Sequence, residues 1–184
     1  MGENVFNTRL LKHVFITFVL LPTCVLPIIA QEKESDLRSE FETIDGILNE
    51  LYKAVSFEKG EDTDWDYVRT FFIHEAVIIL RTSATEKKVL NVEDFVQLFL
   101  DDIERLRMKD YGFTETVKNI QSRSFGEIAH AFVVYRAQLG SRQGQGNDGL
   151  DSFQLIWRSG RWWIASVINE AAFPDRPIPE EFLQ

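Results

Sequence analysis

The sequence predicts an α+β domain in which three helices near the N-terminus pack on one face of a long-stranded antiparallel sheet. Three observations lead there. Apolar residues in the first half recur at helical spacing, the second half is dense in β-branched and aromatic residues cut by glycine turns, and the long strands follow the helices instead of alternating with them. A length of 184 residues, 45% hydrophobic and 27% charged, fits one such domain with a short extension.

The extension is at the front. Arg9, Lys12 and His13 precede an apolar run from Val14 to Ile29 that stops at Ala30 before Gln31-Glu32-Lys33-Glu34. A basic start, an apolar stretch and a small residue at its end predict a signal peptide over residues 1–30, cleaved after Ala30 and leaving no membrane span. The alternative is a retained anchor; the run is slightly short of the ~20 residues a spanning helix needs, and Pro22 and Pro27 interrupt it. Leu21-Pro22-Thr23-Cys24 matches a lipid-attachment site only loosely. Cys24 is the sole cysteine, so the cleaved chain has no thiol for a disulfide or a metal. Its stability must come from its core, which roughly 150 residues suffice to build. The net charge of -9 repels phosphate backbones, so no nucleic-acid partner is expected. The export prediction places the protein in the periplasm or outside the cell.

Over residues 31–172 the elements follow in order. Leu37, Phe41, Ile44, Leu48, Leu51 and Val55 form the stripe of a first helix, capped by Ser35 or Asp36. Thr63 with Asp66 predicts the start of a second helix through Phe72, with Trp65, Val68, Phe71 and Phe72 as its apolar members. Ala76 to Leu80 is a short strand by its β-branched content. Asn91 caps a third helix, whose apolar face carries Phe95, Leu98, Phe99, Ile103 and Leu106 and which runs to about Arg107. Strands follow at Thr116–Phe125, Ile128–Leu139, Leu150–Arg158 and Arg161–Asn169. Gly126 and Ser159-Gly160 supply tight turns, and Gly140 to Gly149 a long polar loop. Residues 173–184, with Pro174, Pro177 and Pro179, form a non-helical tail.

With these elements in place, the chain resembles the nuclear transport factor 2-like superfamily, in particular its SnoaL-like and uncharacterised bacterial branch. The resemblance spans Asp36 to Ala172. It rests on the order of elements, on Phe71-Phe72 before Ala76-Val77-Ile78, on Phe125 to Phe132, on Asp151-Ser152-Phe153-Gln154-Leu155, and on Gly160-Arg161-Trp162-Trp163-Ile164. It implies a cystatin-like roll, a cone whose bent sheet wraps the first helix and leaves a pocket at the open end. That scaffold carries isomerases, dehydratases, cyclases and association modules, so the fold does not name a reaction. In its ketosteroid isomerases a Tyr and a neutral Asp act as oxyanion donors and a second Asp as base. The order of elements puts Tyr52 and Asp151 at the donor positions. The base position falls on Leu80, which cannot take a proton, and isomerase chemistry of that type is in doubt.

The candidate residues each have two readings. His130 is suited to general-base work, or is a satisfied histidine on the strand face shared with Ile128, Phe132 and Val134. His74 is expected at a helix end, where it would favour the dipole. Tyr52 either donates into the pocket or packs with one polar tip. A small, largely apolar or aromatic ligand would find flat surface at Tyr52, Trp65, Phe72 and Trp163 and polar contacts at His130, Asn169 and Glu170. Trp162 and Trp163 must face opposite sides of their strand. Asp101, Asp102 and Glu104 belong to a solvated helix face. No Gly-Lys-Ser/Thr loop, Ser-His-Asp motif or His-Glu-x-x-His spacing is present. No cofactor or metal is expected.

The sequence therefore predicts a binding domain for a small apolar molecule. Its alternatives are a lyase or isomerase with His130 as base and Tyr52 or Asp151 as donor, and an association module. Both faces of the strands are apolar, which predicts a homodimer through the outer face, or cover from the tail residues Phe173, Ile178, Phe182 and Leu183.

Overall fold

The computed structural model describes residues 39–140 and 146–184. The leader and its cleavage site, the cap at Ser35 or Asp36, and residues 141–145 of the expected Gly140–Gly149 loop lie outside the described residues, and residues 146–149 of that loop are strand instead. The elements are α1 (Ile44–Ala54), α2 (Trp65–Arg69), β1 (Phe72–Arg81), β2 (Lys87–Leu90), α3 (Val92–Arg105), β3 (Phe113–Phe125), β4 (Ile128–Leu139), β5 (Gly146–Arg158) and β6 (Arg161–Ala171), with 3-10 turns at Met108–Asp110 and Glu180–Phe182. No described helix is long and apolar enough to cross a membrane.

The stripe expected to run unbroken from Leu37 to Val55 is interrupted. A turn follows Phe41, and α1 starts afresh with Thr43 as its cap, Oγ1 accepting from the Gly46 amide at 3.0 Å. Gly46 permits the kink: a Cβ there would lie 2.2 Å from the Glu40 carbonyl oxygen. Phe41 stays in the core across the break, with Ile47, Leu48, Leu51 and Val55. In α2 the cap is Asp64, which accepts from the Tyr67 amide at 3.0 Å; the buried Thr63 hydroxyl has no partner. The helix ends at Arg69 and does not reach Phe72. Phe72 opens β1 and pairs with Ile164, whose amide donates to the Phe71 carbonyl at 2.9 Å, so the sheet takes the backbone groups that a longer helix would have used.

The six strands form one sheet in the order β2-β1-β6-β5-β4-β3. It is not wholly antiparallel, since β1 and β6 run parallel. The α3 helix and the β3–β4–β5 meander intervene in the chain between them, the long crossover that a parallel pair requires. β2 is a charged, largely exposed edge strand whose residues carry no apolar alternation. Ser159 (φ 56°) and Gly160 (φ 80°) make the tight turn of the β5–β6 hairpin, in the left-handed geometry that matches strand twist.

Ala129, Ala131, Val133 and Tyr135 of β4 and Phe153 and Leu155 of β5 belong to the buried core with α1. The opposite, outer face is treated differently along its width. A bulge between Val117 and Asn119 reverses the alternation of β3, and Asn119 and Gln121 turn to the tail. Their amides donate to the main-chain carbonyls of Phe182 and Gln184 and of Glu181 and Gln184, respectively. Phe182 meets Phe132 edge to face at 4.9 Å. Towards β1 and β6 the outer face is open, with Val77 and Ile168 exposed.

Candidate functional site

Between α1, α3 and the inner face of the sheet lies a cavity of about 170 Å³. Its walls are apolar: Leu51 and Val55 from α1, Phe95 and Phe99 from α3, Phe72, Ile78 and Leu80 from β1, and Phe153 and Val167 from the central strands. The polar lining is confined to Tyr52, Arg81, Glu115, Tyr135, Asp151 and Asn169. Strand pairing sets them together, because Asp151 is opposite Asn169 across β5–β6 and Tyr135 is opposite Gly149 across β4–β5.

Four of these groups form a connected chain of hydrogen bonds. The Tyr52 hydroxyl donates to Asp151 Oδ2 at 2.5 Å. The Asn169 amide donates to Asp151 Oδ1 and to the Tyr135 hydroxyl oxygen, both at 2.7 Å. Gly149 admits the Tyr135 ring, since a Cβ at that position would lie 2.3 Å from the Tyr135 hydroxyl. Burial pushes the Asp151 carboxyl up to about 6, against the two donated hydrogen bonds that hold it down. The Tyr52 and Tyr135 hydroxyls are driven upward by burial first and by Asp151 next, so both stay protonated.

Glu115 is outside the network. It is half-buried as a residue, yet its carboxyl lines the cavity, and the packed protein around that end governs its proton. Burial first, and then Asp151, pushes it up to about 8. No described side chain or amide hydrogen-bonds to this carboxyl. At neutral pH the cavity therefore pairs an ionised Asp151 with a protonated Glu115.

At the edge of the cavity Arg81 turns away from both. Its Nε and one terminal nitrogen bind Glu170, and the other terminal nitrogen donates to the carbonyls of Ser83 (3.2 Å) and Ala84 (2.8 Å). Lys87 (3.0 Å) and Arg176 (2.9 Å) also reach Glu170. Hydrogen bonding from Arg81 leads in holding the Glu170 carboxyl down at about 2.

Of the residues singled out in the sequence, Tyr52, Phe72, Asp151 and Asn169 meet in this cavity, and so does Leu80. Glu170 is tied up beside it. Three others stand elsewhere. His130 is on the outer face with Ser152, Nε2 to Oγ 3.0 Å, because it alternates with Ala129 and Ala131, whose side chains face the core. It cannot act with Tyr52 on one substrate. Trp65 packs on Phe99 at 5.2 Å outside the lining. Trp163 lies over the Arg161 guanidinium at 4.0 Å, while its neighbour Trp162 is buried against Trp157, so the two do face opposite sides. Asp101, Asp102 and Glu104 are on the solvated side of α3, and among the described residues no group of three or more acidic, His or Cys side chains is placed to hold a metal.

Glu115, Tyr135 and Arg81 were not singled out in the sequence. Glu115 had a legible signal, since Phe113, Glu115 and Val117 alternate on one strand face, a carboxylate between two apolar residues. The expected start of β3 at Thr116 cut it off.

Neither a protein-family model nor a curated protein matches the sequence. Solved structures do match. An NTF2-like protein with a cystatin-like fold from Novosphingobium aromaticivorans superposes with a TM-score of 0.55 at 12% identity, over 85% of this chain and 95% of that one. An uncharacterized protein with a cystatin-like fold from Caulobacter vibrioides gives 0.55 at 12%, over 74% and 92%. An NTF2-like protein of unknown function from Pseudomonas putida gives 0.51 at 10%, over 81% and 92%. With helices against one curved, unclosed six-stranded sheet, the chain has the nuclear transport factor 2-like, cystatin-like fold.

Proposed function

We propose that this protein binds a small, largely apolar molecule in the cavity beneath α1 and, given the leader read from its sequence, does so outside the cytoplasm. The observation that carries this reading is an aromatic cavity with its polar groups gathered at one end, the usual composition of a ligand site. Its volume of about 170 Å³ is close to the roughly 150 Å³ of an engineered cavity that takes up benzene, which limits the ligand to about one ring with a short substituent. Thermal-shift screening of the purified protein against single-ring compounds tests it, because a ligand bound only by the folded state raises the melting temperature. Phe153→Trp, which fills the cavity, is expected to remove the shift. A screen without hits, or hits indifferent to that substitution, sinks the reading.

A second reading, proton transfer on the bound molecule, is favoured by the two carboxyls held in different protonation states. Glu115 would be the acid and Asp151 the base, in place of His130. Turnover would then rise as pH passes about 6 and fall beyond about 8. A flat pH profile, or full activity in Glu115→Gln, refutes it.

A further inference from the structure

We propose that the ligand is an organic cation, a protonated amine or quaternary ammonium on a single-ring apolar body, held at Glu115 beside Asp151. This rests on the binding reading above and adds the sign of the ligand's charge. The cavity contains two carboxyls and, among the described residues, no cation free to meet them. Arg81, the one cationic residue among the described residues of the lining, spends its Nε and both terminal nitrogens on Glu170, Ser83 and Ala84. Lys87 and Arg176 are held at Glu170 as well.

Asp151 is satisfied from within the fold by Tyr52 and Asn169, whereas the Glu115 carboxyl faces the cavity with no hydrogen-bond partner among the described residues. Once ionised, a carboxyl in that position has no counter-ion, and a cationic ligand would supply one. The walls suit the same chemistry. Rings of Tyr52, Phe72, Phe95, Phe99, Tyr135 and Phe153 surround the space, and an ammonium is attracted to aromatic faces as well as to carboxylates. An anion would meet two acidic groups inside and, in the lining, only an Arg81 already bound to Glu170. A neutral alcohol would gain one hydrogen bond from Glu115 but could not pair with its ionised form.

Protonation links the site to pH. Glu115 keeps its proton up to about 8, so an ammonium ligand must displace that proton near neutrality and binds more tightly above it. The experiment is a thermal-shift comparison of three matched probes, 2-phenylethylammonium, 2-phenylethanol and 3-phenylpropionate, on the full protein at pH 6.5 and 8.5. The ammonium is expected to give the largest shift, greater at pH 8.5, and to lose most of it in Glu115→Gln but not in Glu104→Gln, which alters an exposed carboxylate on α3. If Glu115→Gln does not fold, calorimetry of the unaltered protein in two buffers of different ionisation enthalpy replaces it, and proton release on ammonium binding is expected. An alcohol or carboxylate that matches the ammonium overturns the charge assignment while leaving the cavity as a ligand site. So does an ammonium shift unchanged in Glu115→Gln, or binding without proton release. If no probe shifts the protein, this inference fails, and the binding reading fails with it only if the wider single-ring screen is also empty.

Discussion

The two faces of the sheet carry similar apolar sequence and dispose of it in different ways. On the inner face, Ala131, Val133, Phe153 and Leu155 are sealed against α1, and the polar residues among them are joined in a network or pushed into unusual protonation. On the outer face, Phe132 is half-buried between the rings of Phe182 and His130, Ile128 is exposed, and His130 is satisfied by a neighbouring serine. A polar side chain is therefore informative in proportion to what its position costs. His130 drew notice as a chemical type, but a half-buried imidazole beside a hydroxyl costs little; Glu115 in an apolar cavity costs a great deal.

This contrast can be broken most directly by matched truncations. Phe153→Ala, on the inner face, is expected to lose about 3–5 kcal/mol in urea unfolding, against about 1–2 for Phe132→Ala on the outer. Equal losses would show that the tail makes the outer face a second core. The next largest effect has the opposite sign. The Glu115 carboxyl keeps its proton up to about 8 in the folded protein and to 4.5 as an unperturbed group. The folded state therefore binds the proton more tightly, and stability falls as pH rises between those values. Glu115→Gln removes that penalty. It should stabilise the protein by roughly 2–4 kcal/mol at pH 9 and by almost nothing near pH 4, as read from denaturation midpoints. Constant stabilisation across that range would contradict a buried, titrating carboxyl.

Tyr52→Phe sharpens the comparison within the network. It should destabilise the protein by about 1–3 kcal/mol and raise the Asp151 carboxyl above about 6, because the Tyr52 hydrogen bond holds it down. Carbon-detected NMR titration of the carboxyl reads this, and an unmoved Asp151 would mean that the bond is not formed. The smallest effect on stability belongs to Ile128→Asp, about 0.5 kcal/mol or less at an exposed position. Its value is in association. We propose that the part of the outer face left open by the tail, with Val77, Ile128 and Ile168, pairs two chains. Light scattering should then give the mass of two chains for the unaltered protein and of one for the variant. A single-chain mass for the unaltered protein at micromolar concentration removes the proposal.

Much of the fold was legible because α1, α3 and β4 to β6 carry their periods openly. What escaped did so for identifiable reasons. β2 is held by pairing with β1, not by burial, so its charged residues show no pattern. The break before α1 depends on Gly46 lying against the Glu40 carbonyl, a contact that an apolar stripe passing through both sides conceals. The site was half legible. The resemblance led to Tyr52 and Asp151, but not to their bonding one another, which spends the Tyr52 proton within the fold. Strand alternation gave the parity of His130 correctly. It did not say which parity met the helices, because a sheet apolar on both faces has no sequence mark for its inside.

Gly149 carries one more implication, for how this sequence can vary. Its backbone is not in the left-handed region, so another residue is excluded there by the Tyr135 ring and not by its own conformation. The two positions are thereby tied. Relatives with any side chain at 149 should carry a smaller residue at 135, and those that keep tyrosine should keep glycine, a covariation across the β4–β5 pair that would follow the polar end of the cavity through divergence too deep for overall identity to trace.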